Sequence, residues 1–224
     1  MSAIFITATG TDVGKTFVAA SLIRNLRQIG KDVIAIKPVV SGFDPAQAAE
    51  SDPGILLDAL GLPVTMDSID LISPWRYRAP LSPDLAASME GQRIDVDQVI
   101  AFCQSAIADN PGVVLIEGIG GIMVPLDGER TILDVMMALG VPLILVTGSY
   151  LGSISHTLTA LDSLFVREMN VLSVIVSETP GSTVPLKDVV ATISRFGAPV
   201  IALPRSRSGT APNLGDIFGG KRDR

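Results

Sequence analysis

The sequence predicts an α/β fold of three layers, in which helices cover both faces of a mostly parallel central sheet of about seven strands. Short apolar runs alternate with segments of helical periodicity along the chain. The apolar runs are continuous, which is typical of strands that are buried on both faces, as parallel strands are. Strands that alternate with helices usually build a parallel sheet. Ligands of such sheets bind beyond the carboxyl ends of the strands, so the residues after each strand are the first candidates for a functional site.

The predicted strands and helices follow from these runs in chain order. The strands are Ala3–Thr7, Asp32–Ile36, a short run at Ile69–Ile72, Val113–Glu117, Pro142–Val146, Val171–Val176 and Pro199–Leu203. The helices are Lys15–Ile29, Asp52–Leu60, Pro83–Glu90, Asp95–Ala108, Ile132–Leu139, Ser153–Glu168 and Leu186–Phe196. The first helix has its apolar residues at helical spacing on one face, and Gly30 ends it. The stretch Gly42–Asp52 has few structural signals and is predicted to be a loop over the site.

Length and composition limit the possible classes of protein. The 224 residues predict one domain over 1–224, with a poorly structured tail from about residue 207. The net charge of −6 argues against a nucleic-acid-binding surface. A single cysteine, Cys103, and a single histidine, His156, argue against a disulfide framework and a multi-histidine metal centre.

The chain also lacks the patterns of a membrane or secreted protein. No apolar run reaches the roughly 18 residues that a membrane-spanning helix needs. The sequence enters a strand pattern at Ala3 without the charged and apolar regions of a signal peptide. We therefore expect a cytoplasmic protein that binds neither membrane nor nucleic acid.

The segment Thr9–Thr16 (TGTDVGKT) lies between the first predicted strand and the first predicted helix. It ends like the phosphate-binding pattern G-x-x-x-x-G-K-[ST], but Thr9 stands at the position of the first glycine. Gly14 lets the backbone approach a phosphate, Lys15 can reach the β and γ oxygens, and Thr16 offers a hydroxyl to Mg²⁺. The alternative is an ordinary strand–turn–helix with a tolerated lysine, which the setting and the intact GKT disfavour. The segment therefore predicts a P-loop NTPase fold that binds and uses a nucleoside triphosphate.

Three further charged residues lie next to predicted elements at the same edge of the sheet. Lys37 follows the second strand, and Pro38 biases it toward an extended conformation that projects beside the phosphate loop, near Ser41-Gly42. Glu117 ends a buried strand, where an acid in a P-loop protein typically serves Mg²⁺ directly or through water. Asp52 opens a helical pattern. Simpler alternatives are a solvated lysine, an acid that caps a turn, and an N-cap aspartate.

Five segments together indicate a family. They are Thr9–Thr16 (TGTDVGKT), Lys37–Gly42 (KPVVSG), Arg78–Gly91 (RAPLSPDLAASMEG), Glu117–Gly121 (EGIGG) and Leu151–Thr157 (LGSISHT). In this order they resemble the ATP-dependent dethiobiotin synthetases of biotin synthesis over most of the chain. The resemblance implies a ligase that uses ATP and CO₂ or bicarbonate to convert 7,8-diaminopelargonic acid to dethiobiotin, ADP and phosphate. A carbamate would form first, ATP would phosphorylate it, and the second amine would then close the ureido ring.

The resemblance also implies roles for individual residues. The catalytic residues would be Lys37, Lys15 and Thr11. The substrate would be bound by Ser41 and, from the neighbouring subunit of a homodimer, by Leu151, Gly152 and Ser153. Mg²⁺ would be held by Thr16, Asp52 and Glu117. ATP would contact Asp12, Val13, Gly14, Lys15, Thr16, Phe17, Asp52, Glu117, Gly118, Ile119, Gly120, Ser177, Glu178, Pro204, Arg205 and Ser206.

Several positions depart from the family pattern, and two other classes of protein stay open. Ala8 replaces the first glycine of the family's loop, Asp84 stands where relatives often have histidine, and Ser177-Glu178 replaces the Asn-Asp pair that usually reads adenine. A cobyrinic acid a,c-diamide synthase-like amidoligase would need a catalytic cysteine, whereas Cys103 lies in a helical pattern. A partitioning-type regulatory ATPase would carry a signature lysine at the position of Gly10.

Overall fold

The computed structural model describes residues 3–205 and confirms the α/β fold. The strands are β1 (Ala3–Ala8), β2 (Val33–Ile36), β3 (Val39–Ser41), β4 (Trp75–Tyr77), β5 (Val113–Glu117), β6 (Leu143–Gly148), β7 (Val171–Ser177) and β8 (Val200–Leu203). The α-helices are α1 (Lys15–Gln28), α2 (Asp52–Leu60), α3 (Met66–Ile72), α4 (Pro83–Met89), α5 (Val96–Ala108), α6 (Ile132–Leu139), α7 (Ser153–Phe165) and α8 (Leu186–Ile193). Two 3₁₀ helices span Pro45–Glu50 and Ser194–Phe196.

The central sheet has six strands within residues 3–205, in the order β2-β5-β1-β6-β7-β8, and every neighbouring pair is parallel. The prediction of about seven strands was one too high, because Ile69–Ile72 belongs to α3 and not to a strand. Thr65 and Ser68 form a capping box that starts this helix. Its burial of Ile69 explains why a short apolar run resembled a strand.

Two features beside the central sheet were not predicted. Strands β3 and β4 pair in parallel as a separate two-stranded sheet. The stretch Gly42–Asp52, which was expected to be a loop, contains the 3₁₀ helix Pro45–Glu50. The side chain of Asp44 caps that helix by accepting a hydrogen bond of 2.9 Å from the N–H of Ala46. The stretch is therefore more ordered than its sequence indicated.

Successive residues of β1 point into two hydrophobic cores, one on each face of the sheet. Ile4 and Ile6 pack with α1 and α2, whereas Ala3 and Phe5 pack with α5, α6, α7 and α8. This arrangement confirms the three layers. Cys103 lies in the second core, fully buried, and burial raises the pKa of its thiol to about 12. It is a small apolar residue of a helix, as its sequence context predicted.

The strand order brings the candidate residues to one place. Strands β2, β5 and β1 are neighbours and parallel, so their carboxyl ends meet at one edge of the sheet. Lys37 follows β2, Glu117 ends β5, and the phosphate loop follows β1. Across residues 3–205, every helix is too short or too polar to cross a membrane. The single domain over 1–224 stays a prediction, and the predicted tail from about residue 207 lies outside the described residues.

Candidate functional site

The phosphate loop joins β1 to α1 through backbone conformations that favour glycine. Gly14 has a φ of 92° and Asp12 a φ of 57°, both in the left-handed region. A Cβ atom at Gly14 would lie 2.9 Å from Ser177 Oγ, so a larger residue would force the loop or the serine to move. Helix α1 begins at Lys15, and the N–H groups of its first turn therefore face an anion bound in the loop.

A cluster of two lysines, two carboxylates and a hydroxyl lies where the loop meets β5. Lys37 Nζ lies 2.8 Å from Glu117 Oε1 and 3.0 Å from Asp52 Oδ2. Thr16 Oγ1 lies 2.7 Å from Glu117 Oε1 and 2.9 Å from Asp52 Oδ1. Lys15 Nζ is 3.4 Å from the same Glu117 oxygen. The fold thus brings together residues that are up to 102 positions apart in the chain.

The charges of this cluster hold Lys37 in its protonated form. Burial favours the neutral amine of Lys37, but the carboxylates of Glu117 and Asp52 outweigh burial and raise its pKa. Burial, reinforced by the charge of Lys37, lowers the pKa of Lys15. Burial alone would raise the pKa of Asp52, but the positive charges of Lys37 and Lys15 outweigh the effect of burial and lower this pKa. The two neighbouring acidic side chains therefore keep Lys37 in its charged form.

The oxygen atoms of the cluster fit a magnesium ion. Glu117 Oε1 accepts hydrogen bonds from Lys15, Lys37 and Thr16, whereas Oε2 is buried and has no partner within residues 3–205. In that range no group of three or more histidine, cysteine or acidic residues is arranged around a metal. Mg²⁺ usually takes only one or two carboxylates together with phosphate and water oxygens. Glu117, Asp52 and the Thr16 hydroxyl could supply such a small set of hard ligands.

A cavity of about 880 Å³ opens beside the cluster. Half of the predicted site residues line it: Thr11, Asp12, Gly14, Lys15, Thr16, Phe17, Lys37, Ser41, Asp52, Ile119 and Gly120. Gly118 contributes its carbonyl oxygen, which accepts a hydrogen bond of 3.1 Å from Lys37 Nζ. Ser41 ends β3 and lines the same cavity as the phosphate loop.

A second cavity, of about 510 Å³, adjoins the phosphate loop at the carboxyl ends of β7 and β8. Its walls include Val13, Ser177, Glu178, Pro204 and Arg205, all predicted to contact the nucleotide. Glu178 Oε2 accepts a hydrogen bond of 2.7 Å from the backbone N–H of Arg205, which ties the two strand ends together. Ser206 lies outside the described residues.

The segment Leu151–Ser153 is placed apart from both cavities of its own chain, as far as residues 3–205 define them. Leu151 is 86% exposed, and Gly152 adopts a φ of 98° directly before α7. Ser153 is fully buried, and its hydroxyl has no partner in the described part of the chain. The structure therefore does not bring this segment to the predicted site within one chain.

Some cavity residues were missed by the sequence analysis. Glu50, Leu81 and Val124 line the larger cavity without having been singled out. Leu81 falls inside the family-like segment Arg78–Gly91, which was a usable signal. Glu50 and Val124 reach the cavity through the 3₁₀ helix and the chain after β5, whose conformations carry no sequence pattern.

The fold and the phosphate loop define the class: a P-loop ATPase. Among solved structures, the chain resembles a ParA family ATPase from Chlorobium tepidum, with a TM-score of 0.54 and 18% identity, covering 92% of this chain and 85% of that one. It also resembles the MinC:MinD cell division protein complex of Aquifex aeolicus, with a TM-score of 0.53 and 16% identity, covering 97% of this chain and 85% of the matched one. At such identities the likeness concerns the fold alone. A family model described as an AAA domain matches residues 2–214.

Curated relatives define the family within this class. A dethiobiotin synthetase of Methylobacterium nodulans is 46% identical, over 96% of this chain and 97% of the relative. The dethiobiotin synthetase of Caulobacter sp. strain K31 is also 46% identical, over 96% of this chain and 94% of the relative. A more distant relative from Anaeromyxobacter dehalogenans is 31% identical over 99% of both chains. The chain belongs to the ATP-dependent dethiobiotin synthetase family. The amidoligase and partitioning-ATPase alternatives have no comparable support.

Proposed function

We propose that this protein closes the ureido ring of dethiobiotin from 7,8-diaminopelargonic acid, CO₂ and ATP. One amine attacks CO₂ to give a carbamate, and a carbamate oxygen attacks the γ-phosphorus and displaces ADP. The second amine then attacks the carbonyl carbon of the mixed anhydride, and inorganic phosphate leaves. The observation that carries the proposal is the buried, charged Lys37, which lines the same cavity as the phosphate loop.

The charge of Lys37 offsets the repulsion between the two anions that react. The carbamate and the γ-phosphate are both anions, and two unit charges 4 Å apart repel by about 4 kcal/mol at an effective dielectric near 20. Lys15 belongs to the phosphate loop and would compensate the triphosphate, which leaves the carbamate in need of a second cation. Lys37 follows a different strand, β2, and lines the same cavity as the phosphate loop, so it can contact the carbamate. Its raised pKa keeps it charged.

The proposed reaction also needs Mg²⁺, which would bind together with the triphosphate. Thr16, Asp52 and Glu117 would hold it, because they supply hard oxygen atoms beside the phosphate loop and one buried Glu117 oxygen lacks a partner within residues 3–205. When bound, the ion neutralises charge on the phosphate oxygens. Thr11 and Ser41, which both line the cavity, would orient the reacting groups, with Ser41 as the hydrogen-bonding partner of the carbamate or its amine.

The substrate carboxylate is proposed to bind a second copy of the chain. The N-terminus of a helix attracts anions through its unpaired N–H groups, and α7 begins with Ser153 after the exposed Leu151-Gly152. Since this segment lies away from its own cavity, a homodimer in which each subunit completes the other's site accounts for its exposure. The homodimer, the bicarbonate source of CO₂ and the cytoplasmic location stay predictions.

The base of the nucleotide is proposed to occupy the 510 Å³ cavity at the carboxyl ends of β7 and β8. Ser177 and Glu178 stand there in place of the family's usual Asn-Asp pair. A carboxylate and a hydroxyl can both accept a hydrogen bond from the exocyclic amine of adenine. ATP recognition is therefore compatible with the changed side chains.

The test measures ADP release with and without each co-substrate. ATP turnover should rise only when 7,8-diaminopelargonic acid and bicarbonate are both present, and dethiobiotin should form in a one-to-one ratio with ADP. ADP release that ignores both additions would contradict the proposal. An ATPase that responds to glutamine instead would favour the amidoligase alternative.

A further inference from the structure

The segment between β6 and α7 carries several unpaired hydrogen-bond donors. The N–H groups of Gly152, Ile154 and Ser155 donate no hydrogen bond within residues 3–205, because the first helical bond of α7 runs from His156 N to Gly152 O. The adjacent Ser153 hydroxyl is also buried and unpartnered in that range. Such converging donors suit a carboxylate, provided that the backbone is held in one conformation.

Buried hydroxyls hold this segment from the inside. Thr157 Oγ1 lies 2.7 Å from the carbonyl oxygen of Ser153 and 2.9 Å from Thr147 Oγ1, and Thr9 Oγ1 lies 3.0 Å from the same Thr147 atom. These bonds fix the first turn of α7 against β6 and the phosphate loop. They do not reach Leu151-Gly152, which are exposed.

On the outside, one pair of side chains spans the whole segment. Tyr150 Oη and His156 Nδ1 are hydrogen-bonded at 2.9 Å, and the two ring centroids are 5.7 Å apart. A Cβ atom at Gly152 would lie 3.9 Å from His156 Cε1, so the imidazole rests against the glycine. The pair therefore closes a bridge from the residue before the exposed segment to the first turn of α7.

We infer that His156 is a positioning residue for the substrate carboxylate, acting through Tyr150 to hold the N–H groups of Gly152, Ile154 and Ser155 in place. The inference rests on the proposed function, in which this segment binds the carboxylate of 7,8-diaminopelargonic acid. It assigns the histidine no part in proton transfer. Its loss should weaken binding of the carboxylate end of the substrate and leave the phosphoryl transfer unchanged.

The test compares Tyr150→Phe, which removes only the hydroxyl, with His156→Ala and with His156→Asn, which keeps an acceptor in the side chain. Loss of one hydrogen bond predicts a rise of about 3- to 10-fold in the KM for 7,8-diaminopelargonic acid in the first two variants. The kcat and the KM for ATP should stay within about 2-fold of the parent. His156→Asn should restore most of the affinity, and the double variant should resemble either single one.

An analogue without the carboxylate separates positioning from general damage to the fold. 2,3-Diaminononane carries a methyl group in place of the carboxylate, and its KM should not respond to any of these variants. Ser105→Ala, which removes an exposed side-chain hydrogen bond on α5, serves as the control and should change neither KM.

Three results would overturn the inference: an unchanged KM for the diamino acid in both variants, a fall in kcat at constant KM, or an equal rise in the KM of the analogue. Each of these requires a parent enzyme that makes dethiobiotin. A parent that makes none would instead contradict the proposed function.

Discussion

Replacing Lys37 by glutamine removes one buried positive charge from the site while nearly keeping the side-chain length. Two anions 4 Å apart repel by about 4 kcal/mol at an effective dielectric near 20, so loss of the compensating cation should lower kcat by about a thousandfold. The affinity for ATP should change by less than about 5-fold, because Lys15 and the loop N–H groups still face the phosphates. Single-turnover kinetics with saturating diamino acid, together with calorimetric ATP titration, measure the two quantities separately.

The same change should also lower the free energy of unfolding. Removing one partner of a buried ion pair costs about 3–5 kcal/mol. For Lys37→Gln the loss of unfolding free energy should lie at or below the lower end of this range, because Lys15 remains 3.4 Å from Glu117 and the Asp52 side chain is 41% exposed. Arg24→Gln is the matched control, since it removes an exposed cation that pairs with Asp58 at 2.8 Å. A Lys37→Gln enzyme that keeps more than about a tenth of the parent kcat would refute the electrostatic reasoning.

Three further outcomes follow from the described residues. Gly54→Ala should lower the melting temperature, because the added Cβ would lie 2.1 Å from the carbonyl oxygen of Ala48. Gly128→Ala is the control, since a Cβ there would lie in open space and should leave the melting temperature unchanged. An unchanged melting temperature in both variants would contradict the close packing at Gly54. The buried thiol of Cys103, with a pKa near 12, should react with an alkylating reagent at pH 8 only after unfolding, as mass spectrometry of native and denatured protein can establish. The pKa of Asp52 in the folded protein is lowered from its ordinary value of 3.8. Its ion pairs should therefore stabilise the fold above pH 3.8, and this stabilisation should be lost as the pH falls through the pKa of the folded state. Asp52→Asn should flatten that part of the acid unfolding curve.

The residues that meet at the carboxyl edge of the sheet were predictable from the sequence. Parallel strands place their carboxyl ends together, so the sequence alone assigns Lys37, Glu117 and the phosphate loop to one site. Asp52 was harder, since it opens a helix and an N-cap role was equally compatible with its spacing. Its contacts with Thr16 and Lys37 depend on how α2 packs beside α1, which is a tertiary effect.

The features that were not predicted are short or depend on distant partners. Ile69–Ile72 has four residues, and so short an apolar run does not distinguish a strand from one buried face of a helix. The capping box that starts this helix has Ser68 where the usual sequence signature has Glu or Gln, so the sequence did not mark it clearly. Strands β3 and β4 have three residues each and pair across 36 positions, so no local pattern marks them. Most of the site was therefore accessible from motifs at strand ends, and most of the misses lie in the connecting segments.

The origin of the oxygen atoms in the released phosphate tests the carbamate mechanism most directly. If a carbamate oxygen attacks the γ-phosphorus and the ring then closes at the carbonyl carbon, one oxygen of CO₂ must end in inorganic phosphate. With freshly added C¹⁸O₂ in unlabelled water, each phosphate should carry one ¹⁸O, and the ureido carbonyl of dethiobiotin should carry the other. Phosphate without ¹⁸O, whose fourth oxygen would then come from water, would contradict phosphorylation of a carbamate at this site.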